Sequence, residues 1–107
     1  MSPWWYYLVA LFAAALLVNG VPHFVQGVSG QKFPSPFSGG PGTLDGAVRN
    51  VFWGAGNLVV GGILLWLIRD GLDGIVLVAE LVIVGTGFAA LLGMAFANPD
   101  RFGRKRG

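Results

Sequence analysis

Long apolar stretches fill most of this chain, and they limit what it can fold into more than any other feature. They cover residues 4–21, 48–68 and 74–97. Because a helix rises ~1.5 Å per residue, about twenty apolar residues suffice to cross the ~30 Å hydrocarbon core of a bilayer. Charged residues make up only 11% of the chain, against about 25% in soluble domains. The sequence therefore predicts an all-α membrane protein with three transmembrane helices.

The whole chain, residues 1–107, is predicted to be one transmembrane domain, and its spans are residues 4–27, 46–69 and 73–97. A loop at 29–45 follows the first span, and a basic tail at 98–107 follows the third. Pro22 lies inside the first span. Since proline lacks a backbone N–H and clashes with the carbonyl four residues before it, we expect this helix to be broken near Pro22.

The loop is rich in glycine, proline, serine and phenylalanine, a composition that predicts an extended, turn-rich segment. We expect Phe33 and Phe37 to fasten it to the lipid interface or to the helix ends. Its role is either that of an ordered connector or that of a docking loop for a partner, since recognition often uses loops. At its end, Thr43 or Asp45 is expected to cap the second helix.

The basic residues are distributed unevenly about the predicted spans. Lys32 lies in the loop and Arg49 on its flank, whereas the opposite side carries only Arg69. The tail contains four more basic residues, Arg101, Arg104, Lys105 and Arg106. Because positively charged flanks stay in the cytoplasm, we expect the N-terminus outside and the C-terminus inside. The tail should contact anionic lipid headgroups, at roughly 1 kcal/mol per basic residue, and no nucleic acid is expected as a partner.

Polar and small residues share one stripe of the second predicted helix at ~100° per residue. They are Asn50, Trp53, Gly54, Asn57 and Gly61. Such stripes form helix–helix seams in lipid, because close approach and hydrogen bonds replace the hydrophobic effect there. By its depth in the membrane, Asn19 of the first helix should contact Asn57, and Glu80 of the third helix is the alternative partner for this amide. By the same argument, His23 should contact Asn50.

The third predicted helix has two faces that should meet protein. One face carries a ladder of small residues, Gly85, Ala89, Gly93 and Ala97, and this pattern favours close helix contact. A second face, about 140° around the helix from Gly85 at ~100° per residue, carries Glu80, Gly87 and Leu91. A carboxylate that faces lipid is costly, so Glu80 should face protein or water. Two such faces on one helix predict contacts with other membrane protein subunits or with a second copy of the chain.

Glu80 is the only ionisable residue well inside a predicted span. Either it is a proton or cation site, or it is a structural residue that meets Asn57 or reaches towards Arg69. His23, the only histidine, would need a defined pocket to bind haem or chlorophyll, so we expect it to be structural. No cofactor or metal is expected. Because the chain also lacks cysteine and any serine-centred catalytic motif, we expect that it is not an enzyme.

Several short motifs lie in the first two spans and their loop. They are Asn19-Gly20-Val21-Pro22-His23-Phe24-Val25-Gln26-Gly27-Val28-Ser29-Gly30, Phe33-Pro34, Pro36-Phe37, Asn50-Val51-Phe52-Trp53-Gly54 and Asn57-Leu58-Val59-Val60-Gly61. In these motifs the chain resembles a group of small bacterial inner-membrane proteins to which no activity is assigned. The resemblance implies a bacterial inner-membrane location and one structural unit formed by Asn19, Pro22, His23, Trp53 and Asn57.

Two classes of function fit these features. The first is a non-catalytic accessory or assembly subunit of a larger bacterial membrane complex, of the respiratory or photosynthetic type. Small size, a thin bundle and the two faces of the third helix favour this class. The alternative is a homo-oligomeric small transporter or channel in which Glu80 lines a path between protomers.

Overall fold

The part of the chain that the structure describes forms three long helices, as the sequence predicts. The structure, a computed structural model, describes residues 2–38 and 43–97. The helices are α1 (Trp4–Val28), α2 (Ala47–Leu67) and α3 (Ile75–Ala97), with a short 3₁₀ turn at Arg69–Gly71. Within the described ranges, the extended structure is limited to one isolated bridge between Phe33 and Asp45. Each helix is long and apolar enough to cross a membrane, so the chain is a multi-pass membrane protein.

The central helix is α1, which packs against both others, whereas α2 and α3 have little contact with each other in the described part of the chain. Gly20 lies against Leu58 and Gly27 lies against Val51, so α1 and α2 run antiparallel. Near the other end of α1, Ala10 packs with Leu77. Further along, Val18 is the neighbour of Gly85, so α1 and α3 run parallel.

α1 is not broken at Pro22, and the prediction of a break is wrong. The helix continues through the proline to Val28. Pro22 removes one intrahelical hydrogen bond, but the turns on either side of it are fixed against α2 through Gly20 and Gly27. Prolines are tolerated inside membrane helices when neighbouring helices support the backbone in this way.

Glycines make the contact between α1 and α2 unusually close. A Cβ atom built on Gly54 would lie 2.5 Å from the backbone nitrogen of Phe24, and one built on Gly27 would lie 2.7 Å from the backbone nitrogen of Val51. The obstructing atoms belong to the backbone, which cannot move aside as a flexible side chain can. The two backbones therefore pack directly against each other along this glycine seam, which is formed by Gly20, Gly27, Gly54 and Gly61.

Candidate functional site

A pair of asparagines links α1 and α2 within their membrane-spanning segments. Asn19 Nδ2 donates a hydrogen bond to Asn57 Oδ1 at 3.2 Å, and Asn57 Nδ2 donates to the carbonyl of Trp53 at 2.8 Å. The predicted contact between Asn19 and Asn57 is therefore confirmed, and the alternative partner of Asn57, Glu80, is not used. Asn57 is buried, and a buried amide without a hydrogen bond costs free energy. The bond from Asn19 removes this cost for the Asn57 oxygen.

His23 and Asn50 form the second predicted pair, with 2.8 Å between His23 Nδ1 and Asn50 Oδ1. Asn50 is fully buried, and its Nδ2 faces the carbonyls of Phe33 at 2.9 Å and Gly46 at 3.1 Å. Carbonyl oxygens only accept, so they fix the orientation of the amide and place its oxygen towards the imidazole. His23 Nδ1 is therefore the donor. In the neutral form of the ring, this bond selects the tautomer with the proton on Nδ1.

The loop is docked on the helix ends through its two phenylalanines. The Phe33 ring lies 5.2 Å from the His23 ring and 4.6 Å from the Phe96 ring. The Phe37 ring lies 5.2 Å from the Trp53 ring in an edge-to-face arrangement. The sequence predicts Phe33 and Phe37 at either the lipid interface or the helix ends, and the structure places both against the helix ends. The loop thereby contacts all three helices and covers the pair formed by His23 and Asn50.

Asp45 fastens the loop to the start of α2, a role that differs from the predicted cap. The N-cap position of α2 is occupied by Gly46, without a side-chain cap. Asp45 instead accepts a hydrogen bond from the Ser35 hydroxyl at 2.6 Å and one from the Gly46 amide at 2.8 Å. The Ser35 bond, helped by the Gly46 amide and Arg49, holds the pKa of Asp45 below its usual range, although partial desolvation opposes this shift.

The sequence does not reveal the contact between Ser35 and Asp45. The two residues are separated by ten positions, and neither lies in a periodic element. Only the backbone bridge, in which Phe33 and Asp45 exchange hydrogen bonds of 3.0 and 3.2 Å, brings them together. Thr43, the other predicted cap, donates to the carbonyl of Ser38.

Two polar atoms inside the spans are buried without a hydrogen-bond partner in residues 2–38 and 43–97. They are Trp53 Nε1 and Glu80 Oε1. The structural roles expected for Glu80 are not observed, because Asn57 pairs with Asn19 and Arg69 lies over the Trp66 ring at 4.1 Å. Glu80 is thus a half-buried carboxyl group in an apolar helix.

The two predicted faces of α3 have different surroundings. On the ladder face, Gly85 is buried against Val18, at 3.6 Å from a Cβ built on it, whereas Ala89 and Gly93 are exposed. On the second face, Gly87 is exposed and Leu91 is 62% exposed. Of these residues, only Gly85 on the ladder face is buried by α1, and the second face is exposed at Gly87 and Leu91.

The described residues contain no group of three or more histidine, cysteine or carboxylate side chains that would hold a metal ion. The predicted lipid contacts of Arg101, Arg104, Lys105 and Arg106 lie outside the described residues. The site therefore consists of a polar, loop-covered seam between α1 and α2 and a separate carboxyl group on α3. The seam can hold α1 and α2 in a fixed arrangement. The Glu80 carboxyl group can exchange a proton or accept a hydrogen bond.

Comparison with known proteins adds no further constraint, since no family model, curated protein or solved structure matches the chain. The resemblance to small bacterial inner-membrane proteins stays a prediction. The function is therefore inferred from the geometry described above.

Proposed function

We propose that this protein is a non-catalytic accessory or assembly subunit of a larger bacterial membrane complex, of the respiratory or photosynthetic type. One observation carries the proposal, namely the uneven burial of the three helices. Only 6% of the most apolar window of α3 is buried, against 28% in α1 and 22% in α2. α1 and α2 share a closely packed seam, whereas most of α3 has no neighbour in the part of the chain that the structure describes.

The residues on α3 support a protein partner over lipid alone. A half-buried carboxyl group without a hydrogen-bond partner, such as Glu80 within the described residues, is costly at this depth. Gly87, also on α3, leaves open space next to the backbone. A partner helix that packs near α3 and donates a hydrogen bond to Glu80 would remove that cost.

The test is gentle solubilisation of the membrane followed by native mass spectrometry of the tagged full chain. We expect foreign subunits in stoichiometric amounts, and we expect Glu80→Gln to retain them because the amide keeps the shape and can still accept a hydrogen bond. Purification of the chain only as a homo-oligomer or a monomer would contradict the proposal.

The unpartnered Glu80 carboxyl oxygen favours one second candidate, a homo-oligomeric transporter or channel. In that case the isolated protein would carry a proton- or cation-coupled flux in proteoliposomes. Glu80→Gln would abolish the flux without unfolding the protein, because an amide cannot take up a proton. An absence of flux from the wild type, measured beside the co-purification, would exclude this candidate.

The proposal places the chain in the bacterial inner membrane with its N-terminus outside and the basic tail in the cytoplasm. This orientation is supported by Lys32 and Arg49 at the loop end of the bundle and by the four basic residues of the tail. The chain has no cysteine, so each introduced thiol is the only one. A membrane-impermeant maleimide applied from outside should label Asp73→Cys and leave Arg104→Cys unlabelled. The reverse pattern would contradict the orientation.

A further inference from the structure

A groove of about 480 Å³ runs between α1 and α3 at the end of the bundle that carries the loop. Its walls include Val21, Pro22 and Gln26 from α1 and Ala89, Leu92 and Gly93 from α3. This volume lies within the ~300–1,000 Å³ of small-molecule pockets, which are likewise mainly apolar with few polar groups. Gln26 supplies the polar group here.

The groove exists because α1 and α3 separate towards the loop. They touch at Gly85, where a Cβ atom would lie 3.6 Å from Val18. A Cβ built on Gly93 has no such neighbour within 4 Å among residues 2–38 and 43–97. At the loop end the rings of Phe33 and Phe96, 4.6 Å apart, form part of the wall. The groove stays open to the side, because Val21 is 51% exposed.

We propose that this groove binds one acyl chain of an anionic phospholipid, with the phosphate group at the loop end. Exposed Lys32 directly precedes Phe33, which forms part of the groove wall. Basic residues beside a gap between membrane helices attract anionic headgroups. Gln26 can donate a hydrogen bond to the same headgroup.

The shape of the groove favours a flexible chain over a second protein helix. A partner helix packs along a continuous face with its axis 8–10 Å away. At the loop end the wall is formed partly by the Phe33 ring of the loop beside the Phe96 ring, so the groove is not a continuous helix face. A lipid chain enters from the side and needs no passage through these rings. The inference does not rest on the proposed function, since the groove lies on the α1 side of α3.

The first experiment compares lipid retention by native mass spectrometry after titration with phosphatidylglycerol or phosphatidylcholine. Wild type should retain one phosphatidylglycerol molecule in preference to phosphatidylcholine. Gly93→Leu fills the groove and should bind phosphatidylglycerol about tenfold more weakly, or about 1.4 kcal/mol. Gly62→Leu is the matched control, since it adds the same side chain to open space on α2, outside the groove, and should bind as wild type does.

The charge is tested separately with Lys32→Gln, which should reduce the preference for phosphatidylglycerol and leave phosphatidylcholine binding unchanged. Equal retention of the two lipids by wild type, or unchanged retention by Gly93→Leu, would overturn the proposal. A phosphatidylglycerol with a photoreactive acyl chain keeps the test valid if Gly93→Leu does not fold. Crosslinks in the unmodified protein should concentrate at Val21 and Leu92, and labelling equal to that of exposed Val59 on α2 would also overturn the proposal.

Discussion

Asn50 connects three parts of the molecule through a single amide group. Its oxygen accepts from His23 on α1, and its nitrogen donates to Phe33 in the loop and to Gly46 at the start of α2. Removal of this side chain would leave the buried His23 Nδ1 without its partner, at about 1–3 kcal/mol. The carbonyls of Phe33 and Gly46 would each lose one of two donors, since the backbone amides of Asp45 and Asn50 still donate to them. Asn50 is for this reason the residue on which the loop end of the bundle depends most.

The pair formed by Asn19 and Asn57 should contribute a measurable coupling energy. In a double-mutant cycle with Asn19→Leu and Asn57→Leu, we expect about 0.6–1.7 kcal/mol, the range found for hydrogen bonds between membrane helices. Thr86→Val on the exposed face of α3 should be close to neutral. Unfolding in mixed micelles measures the free energies. A coupling energy of zero would show that the two amides contribute independently.

Asp45 should titrate below its ordinary pKa of about 3.9, because the Ser35 hydroxyl stabilises the carboxylate. Since folding lowers the pKa, the stabilisation is present above about pH 4 and is lost as the pH falls through the folded-state pKa. Carboxyl ¹³C NMR measures both values. Ser35→Ala should raise the pKa of Asp45, and an unchanged value would contradict the assignment of the shift to this bond.

The interface between α1 and α2 is dominated by the glycine seam. Gly54→Ala should destabilise the protein by about 1–3 kcal/mol, the usual cost of overpacking, because the new methyl group would lie 2.5 Å from the Phe24 nitrogen. Gly56→Ala, two positions away, has open space and should be neutral or slightly stabilising. Equal effects of the two substitutions on unfolding in micelles would show that backbone contact is unimportant here.

Helical phase predicts the α2 side of this interface but not the α1 side. Asn50, Gly54, Asn57 and Gly61 share a stripe at ~100° per residue, and all four are buried. The sequence of α1 does not show which of its apolar sides meets α2, so it does not predict that Gly20 and Gly27 lie in the interface. For a related reason it does not predict the continuity of α1 at Pro22, which depends on support from another helix.

At the scale of the whole molecule, the structure consists of a tight antiparallel pair and a third helix attached along one side. Local opening depends on the contacts that each part makes. In detergent, amide hydrogen exchange should therefore be faster in the outer turns of α3 than in the buried turns of α1 around Gly20. Mass spectrometry of peptides from the two helices measures this difference. Equal protection would imply that α3 has further contacts in solution.

The antiparallel arrangement of α1 and α2 also has a consequence for biosynthesis. The two helices are consecutive in the chain, so their shared interface is complete as soon as Leu67 has left the ribosome. When α3 enters the membrane, its main neighbour α1 is already packed against α2. The newly made chain thus forms the hairpin of α1 and α2 before α3 is added to its side.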